Sequence, residues 1–140
     1  MPVFLGLDLG EKRVGVARSD ETGTIAEAVA TLSFKGKDDL LKQLKEFVAE
    51  FQPEKIVVGF PRTLRNEVGP AAEKVAKWVD WFKIRLPGEW VLWDERFSTV
   101  EAERVLLEAD LSRQKRRGLR DQLAAQRILQ SYLDSHKIGG

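Results

Sequence analysis

The spacing of apolar and polar positions changes several times along these 140 residues, and each change marks an element. Residues 3–10, VFLGLDLG, form an apolar run too short for a helix and closed by Gly10. In an extended chain Leu5, Leu7 and Leu9 point to one face, and Phe4, Gly6 and Asp8 to the other. Apolar residues on both faces place this strand in the middle of a sheet. Glu11, Lys12 and Arg13 make a tight connection into residues 13–18, RVGVAR, where Val14 and Val16 alternate as in a strand paired back on the first. A turn cluster, DETG, leads to a third strand over 25–34. Three strands joined by short turns predict an antiparallel meander.

The period then changes to that of a helix. Leu40, Leu41, Leu44, Phe47, Val48 and Phe51 predict an amphipathic helix over 38–51, stopped by Gln52 and Pro53. Residues 55–60, with IVVG at their heart, predict a buried strand, and the strand–helix–strand order predicts a parallel crossover. Pro70 suits the first turn of a second helix over 70–86, with Val75, Trp78, Val79 and Phe82 as its apolar stripe. A short strand over 89–93 follows and ends at Asp94 and Glu95. Ser98 with Glu101 reads as a capping box for a helix over 99–109. The basic run 110–120, DLSRQKRRGLR, reads as a surface loop, and a last helix is expected over 119–135. With no repeat and no linker, residues 1–140 read as one α/β domain: a mixed sheet, meander first, with flanking helices.

Three sets of carboxylates stand out from this pattern. Asp8 sits in a central strand, where a charge is costly unless paired or bound to metal; capping the turn at Gly10 and Glu11 would explain it equally well in isolation. Asp94 and Glu95 leave the sheet together, and a capping or salt-bridging role would account for them. Asp121 shares a helix face with Ala124, Ala125, Ile128 and Tyr132; as a first-turn residue it would simply complement the helix dipole. Jointly they form the donor set of two-metal phosphodiester cleavage, in which hard Mg²⁺ or Mn²⁺ ions take oxygen ligands and clamp the attacking and leaving oxygens. Converging acids without metal repel one another, so neutralising one is expected to stabilise the metal-free chain, or at worst leave it unchanged.

Composition narrows the chemistry further. The chain has no cysteine, so it has no disulfide, thiolate zinc site or cysteine nucleophile, and its single histidine, His136, gives little to build a catalytic triad on. The net charge of +1 means that nucleic-acid affinity must come from local basic patches. The basic run supplies one in Arg113, Lys115, Arg116, Arg117 and Arg120, immediately before Asp121. Arg62 and Arg65, in the loop over 60–69 after a strand's carboxyl end, are candidates for holding phosphates. Lys12, Arg13 and Arg18 are weaker ones. Trp78, Trp90 and Trp93 fall on expected core faces rather than in a base-stacking role. The start MPVF is no signal peptide and no apolar run is long enough to cross a membrane, so a cytoplasmic protein without membrane contact is expected.

The blocks LGLDLGEKRVGVARSD, VVGFPRTLRNEVGPAA, DERFSTVEAERVLLEA and DQLAAQRILQSYLD resemble, in order, those of the YqgF family, over nearly the whole chain. These are small bacterial RNase H-like proteins, described as Holliday-junction resolvases and as nucleases maturing precursor 16S ribosomal RNA. The resemblance implies an RNase H-like fold and carries over Asp8, Glu95 and Asp121 as the acidic trio that binds two Mg²⁺ or Mn²⁺ ions, with Asp94 as a neighbour. Leu64, Arg65, Asn66 and Glu67 depart from the family's usual Asp-Gly-containing loop. The implied partner is structured RNA, including ribosomal precursor particles, or branched DNA, bound by a monomer or a homodimer. Two other classes compete. A phosphate- or ATP-binding protein of the actin and sugar-kinase type opens with a similar hairpin but needs two domains. A non-catalytic nucleic-acid-binding factor in ribosome assembly or transcription would keep the acids as structural residues.

Overall fold

A computed structural model describes residues 3–61, 69–94 and 113–136, with the side chains of 113–120 left out. The elements are β1 (Phe4–Leu9), β2 (Arg13–Ser19), β3 (Ala26–Ser33), α1 (Lys37–Phe51), β4 (Lys55–Phe60), α2 (Pro70–Lys83), β5 (Glu89–Asp94) and α3 (Arg113–Ser135). The strands form one sheet in the order β3-β2-β1-β4-β5. The β1–β2 and β2–β3 pairs are antiparallel, and β1–β4 and β4–β5 are parallel. The meander and the parallel extension expected from periodicity are both present, and β1 is the central strand.

The two faces of β1 sort its residues as the pleat dictates. Leu5 and Leu7 are buried with Val14, Val16, Ile56 and Val58 against Leu40 and Leu44 of α1 and Val75, Val79 and Phe82 of α2. On the other face Ala17, Val57 and Phe4 meet Ala124, Ala125, Ile128, Leu129, Tyr132 and Leu133 of α3. The molecule is therefore layered, with α1 and α2 on one side of the sheet and α3 on the other. Gln52 ends α1 in the left-handed conformation (φ 46°), its N–H donating to the Val48 carbonyl at 2.9 Å, just before Pro53 blocks any continuation. Pro70 occupies the first turn of α2, as expected.

Two expectations need correcting. Helix α2 ends at Lys83 rather than 86; the Arg85 and Leu86 N–H groups both donate to the Phe82 carbonyl at 2.9 Å, which closes the helix in a turn and seats Leu86 in the core. More consequentially, α3 begins at Arg113, so the basic run over 113–120 is helix and not loop. Arg, Lys, Gln and Leu are strong helix formers, and one Gly118 costs only about 1 kcal/mol against them. The helix expected over 99–109 and the loop 62–68 with Arg62 and Arg65 lie outside the described residues, as does Glu95.

Candidate metal centre

The site begins with a missing side chain. Asp8 of β1 is paired directly with Gly15 of β2, and residues opposed across an antiparallel pair project to the same face. A Cβ built on Gly15 would lie 1.9 Å from the backbone oxygen of Asp121 and 2.4 Å from its carbonyl carbon. Two residues along β1, a Cβ on Gly6 would lie 2.7 Å from the Leu129 Cβ. Helix α3 thus rests on sheet backbone at two glycines, a contact no larger residue permits. Its seating brings Asp121 over the residue that faces Asp8.

Asp121 is in the third turn of α3, since the helix starts eight residues earlier. The N-terminal dipole that would explain a first-turn acid does not reach it. Its side chain is only 15% exposed, on the same helix face as Ala124, Ala125 and Ile128. The Arg13 Nε donates to Asp121 Oδ2 at 2.7 Å. Arg13 is two residues from Gly15 on β2, hence on the same face as Asp8 and nearer the edge of the sheet where β1 ends. The acids therefore do not meet as bare like charges: at Asp121 a guanidinium offsets the repulsion. The gain expected from neutralising an acid therefore does not extend to Asp121, where losing the charge would leave Arg13 without this partner.

An open cleft of ≈ 230 Å³ lies in front of this pair, lined by Gly10, Glu11, Lys12, Arg13 and Asp121. The turn beneath it is closed by the Gly10 N–H donating to the Arg13 carbonyl at 2.9 Å. Glu11 at the rim pairs with Lys74 of α2 at 3.3 Å. Strands β1, β4 and β5 are parallel, so Leu9, Phe60 and Asp94 all finish at this edge. Trp93 faces α3, its indole N–H donating to Ser131 Oγ at 3.1 Å. Alternation then places Asp94 on the opposite face, with Trp90, which stacks on Phe82. Asp94 does not share a face with Asp8. Glu95 is the next residue in sequence.

Arg18 lies away from this edge, opposite Leu5, and is engaged by Glu27 at 3.3 Å and by the Phe51 ring. Trp78, Trp90 and Trp93 pack against the two cores, as their spacing indicated. Among the described residues no group of three acids or histidines is close enough to hold a metal by itself. The donor chemistry of Asp8 and Asp121, two hard carboxylates on one face with a cation already drawn to one of them, fits a divalent ion completed by a further acid. Sequence reading missed Arg13 as the partner of Asp121. The signal was there in the short hairpin, whose register places Arg13, Gly15 and Asp8 on one face.

A mixed sheet with a meander first, a central-strand acid and a second acid on the covering helix defines the RNase H-like class. The chain matches the family model described as "RuvX: Holliday junction resolvase" over residues 2–135, and it belongs to that family. It is 43% identical over 138 residues to a protein of Halothermothrix orenii named "Putative pre-16S rRNA nuclease", covering 98% of this chain and 99% of the relative. A protein of Clostridioides difficile with the same name is 48% identical over 131 residues, covering 94% and 93%. Among solved structures, Thermus thermophilus RuvC in complex with a Holliday junction substrate aligns with TM-score 0.60 at 15% identity, covering 96% of both chains. The fowlpox virus resolvase in complex with Holliday junction DNA aligns with TM-score 0.58 at 13% identity, covering 95% and 97%. These two likenesses establish the fold.

Proposed function

We propose that this chain is a divalent-metal-dependent endonuclease acting on structured nucleic acid, with precursor 16S ribosomal RNA as its substrate. The observation that carries this reading is the seating of α3 on Gly15, which holds a partly buried Asp121 over the strand position facing Asp8. Asp8, Asp121 and Glu95 are the metal ligands. Bound Mg²⁺ or Mn²⁺ ions, two in number, supply Lewis-acid activation of water and neutralise charge on the leaving oxygen. The protein's part is to fix the carboxylates on rigid elements, a strand and a helix, rather than on loops. The cationic residues Arg113, Lys115, Arg116, Arg117 and Arg120 hold the phosphate backbone, and because they lie on α3 they are carried on the same helix as Asp121. Arg62 and Arg65 extend that contact.

The names of the relatives favour ribosomal RNA. The description of the family model favours a second reading, resolution of four-way DNA junctions, and symmetric cutting by two sites would call for a dimer. Among the described residues no helix is long and apolar enough to cross a membrane. The test is cleavage of a precursor 16S fragment and of a four-way DNA junction, with Mg²⁺, with Mn²⁺ and with chelator. Metal-dependent cutting of the RNA that is lost in Asp8→Asn is the expected result. Wild-type cutting by Asp8→Asn would falsify the assignment of this site.

A further inference from the structure

We propose that Arg13 acts as a built-in competitor for the metal, holding the carboxylate of Asp121 in the metal-free protein and giving it up when the ion enters. The inference rests on the metal-centre reading above and adds a residue that is neither ligand nor substrate contact. The Nε–Oδ2 distance of 2.7 Å is that of a charge-assisted hydrogen bond, so one carboxylate oxygen already has a cationic partner at bonding distance. Arg13 lines the same open cleft as Asp121, and its side chain is 30% exposed. The guanidinium therefore engages one oxygen of the carboxylate a divalent ion would use, and the two cations repel across it. The arrangement keeps Asp121 in its metal-binding orientation without metal, at the cost of weaker uptake of the ion.

A merely structural Arg13 makes the opposite demand. Removing it would loosen Asp121 and weaken metal binding, whereas removing a competitor strengthens it. The experiment is calorimetric titration of Mn²⁺ into wild type, Arg13→Gln, Lys12→Gln and Asp8→Asn without nucleic acid, with thermal unfolding of each in chelator and in Mn²⁺. Lys12 lines the same cleft and carries the same charge, so Lys12→Gln reports the effect of the general field alone. Arg13→Gln should bind Mn²⁺ on the order of fivefold more tightly than wild type, the equilibrium equivalent of a partly exposed ion pair. It should melt below wild type in chelator and show the larger metal-induced rise, and Lys12→Gln should tighten binding less. Arg13→Met keeps the aliphatic stem and carries the same expectation should Gln destabilise the fold.

An Arg13→Gln protein that binds Mn²⁺ no more tightly than wild type overturns the inference, as does an equal tightening in Lys12→Gln. Wild type that binds Mn²⁺ through Asp8 while Arg13→Gln shows no gain leaves the metal centre standing without its competitor. Absence of Mn²⁺ uptake in wild type and in Arg13→Gln alike overturns both readings.

Discussion

Replacing Gly15 with Ala tests the contact on which the site depends. The added Cβ would lie 1.9 Å from the Asp121 oxygen, and real Cβ contacts are essentially never below 3.0 Å, so something must move by about 1 Å. What it meets is helix backbone, held down by Ile128, Leu129 and Tyr132, so no side-chain rotation relieves it. Overpacking costs 1–3 kcal/mol as a rule, and a rigid neighbour puts this one near 3 kcal/mol. The reduced freedom of the unfolded chain returns less than about 1 kcal/mol. For a chain of this length each kcal/mol moves the melting temperature by roughly 4 °C. Gly15→Ala should therefore melt on the order of 10 °C below wild type. Gly6→Ala, whose Cβ would lie 2.7 Å from the Leu129 Cβ and 3.0 Å from the Ala125 carbonyl oxygen, should also melt below wild type, by less because the overlap is smaller. Because the Gly15 overlap falls at Asp121 itself, whereas the Gly6 overlap falls one to two turns further along α3, the stabilisation by Mn²⁺ should shrink more in Gly15→Ala than in Gly6→Ala. The assay is thermal unfolding by circular dichroism in chelator and in Mn²⁺. A Gly15→Ala protein melting within about 2 °C of wild type, with the same response to metal, would refute the backbone seating of α3.

Asp8→Asn, Glu95→Gln and Asp121→Asn should each abolish metal-dependent cleavage in a gel assay while nucleic-acid binding by filter retention survives, and the losses should not add in double variants. Arg116→Ala with Arg117→Ala should weaken binding to RNA and DNA alike and lower the logarithmic salt slope by roughly two units, one per lost phosphate contact; an unchanged slope would leave the run as a solvated helix face. Asp121→Asn should melt below wild type in chelator, because it leaves Arg13 without its partner at 2.7 Å. Asp20 accepts from the Thr24 N–H at 2.9 Å and the Ile25 N–H at 3.2 Å, and these two bonds hold its carboxyl below the ordinary value. A depressed folded-state pKa gives stability present above the unfolded value and lost as the pH falls through the folded one. Asp20→Ala should accordingly melt lower than wild type at neutral pH, with the difference closing in acid; a gap that persists unchanged in acid would rule this origin out.

Much of this molecule is written in its periodicity. The alternation in residues 3–10 puts Leu5 and Leu7 on one face and Phe4 on the other, and the structure packs the first two with α1 and α2 and Phe4 with α3. Residues 55–60 become β4 with the same limits. The apolar face of Asp121 was equally legible, since Ala124, Ala125 and Ile128 lie three, four and seven residues on. The start of α3 was misread because a dense run of cations with a glycine looks like punctuation, although its residues individually favour helix. That error also left the first-turn explanation of Asp121 open. The Arg13–Asp121 pair spans 108 residues in sequence; the hairpin register puts Arg13 on the face of Asp8, but nothing local to Asp121 names Arg13 as its partner. Gly15 offered the better clue: a residue with no side chain beside an acid in a central strand marks a place where another backbone comes close.

The length of α3 has a metrical consequence. From Arg113 to Asp121 is eight residues, about 12 Å of helix at 1.5 Å per residue, and beyond Asp121 the helix is clamped to the sheet through Leu133. The cations proposed to grip phosphate and the acid proposed to bind metal are thus graduations on a single rod rather than parts of separate loops. On the proposed reading, where a strand is held and where it is cut would be offset by intervals set by helix pitch. Such a molecule would measure its substrate as it binds it.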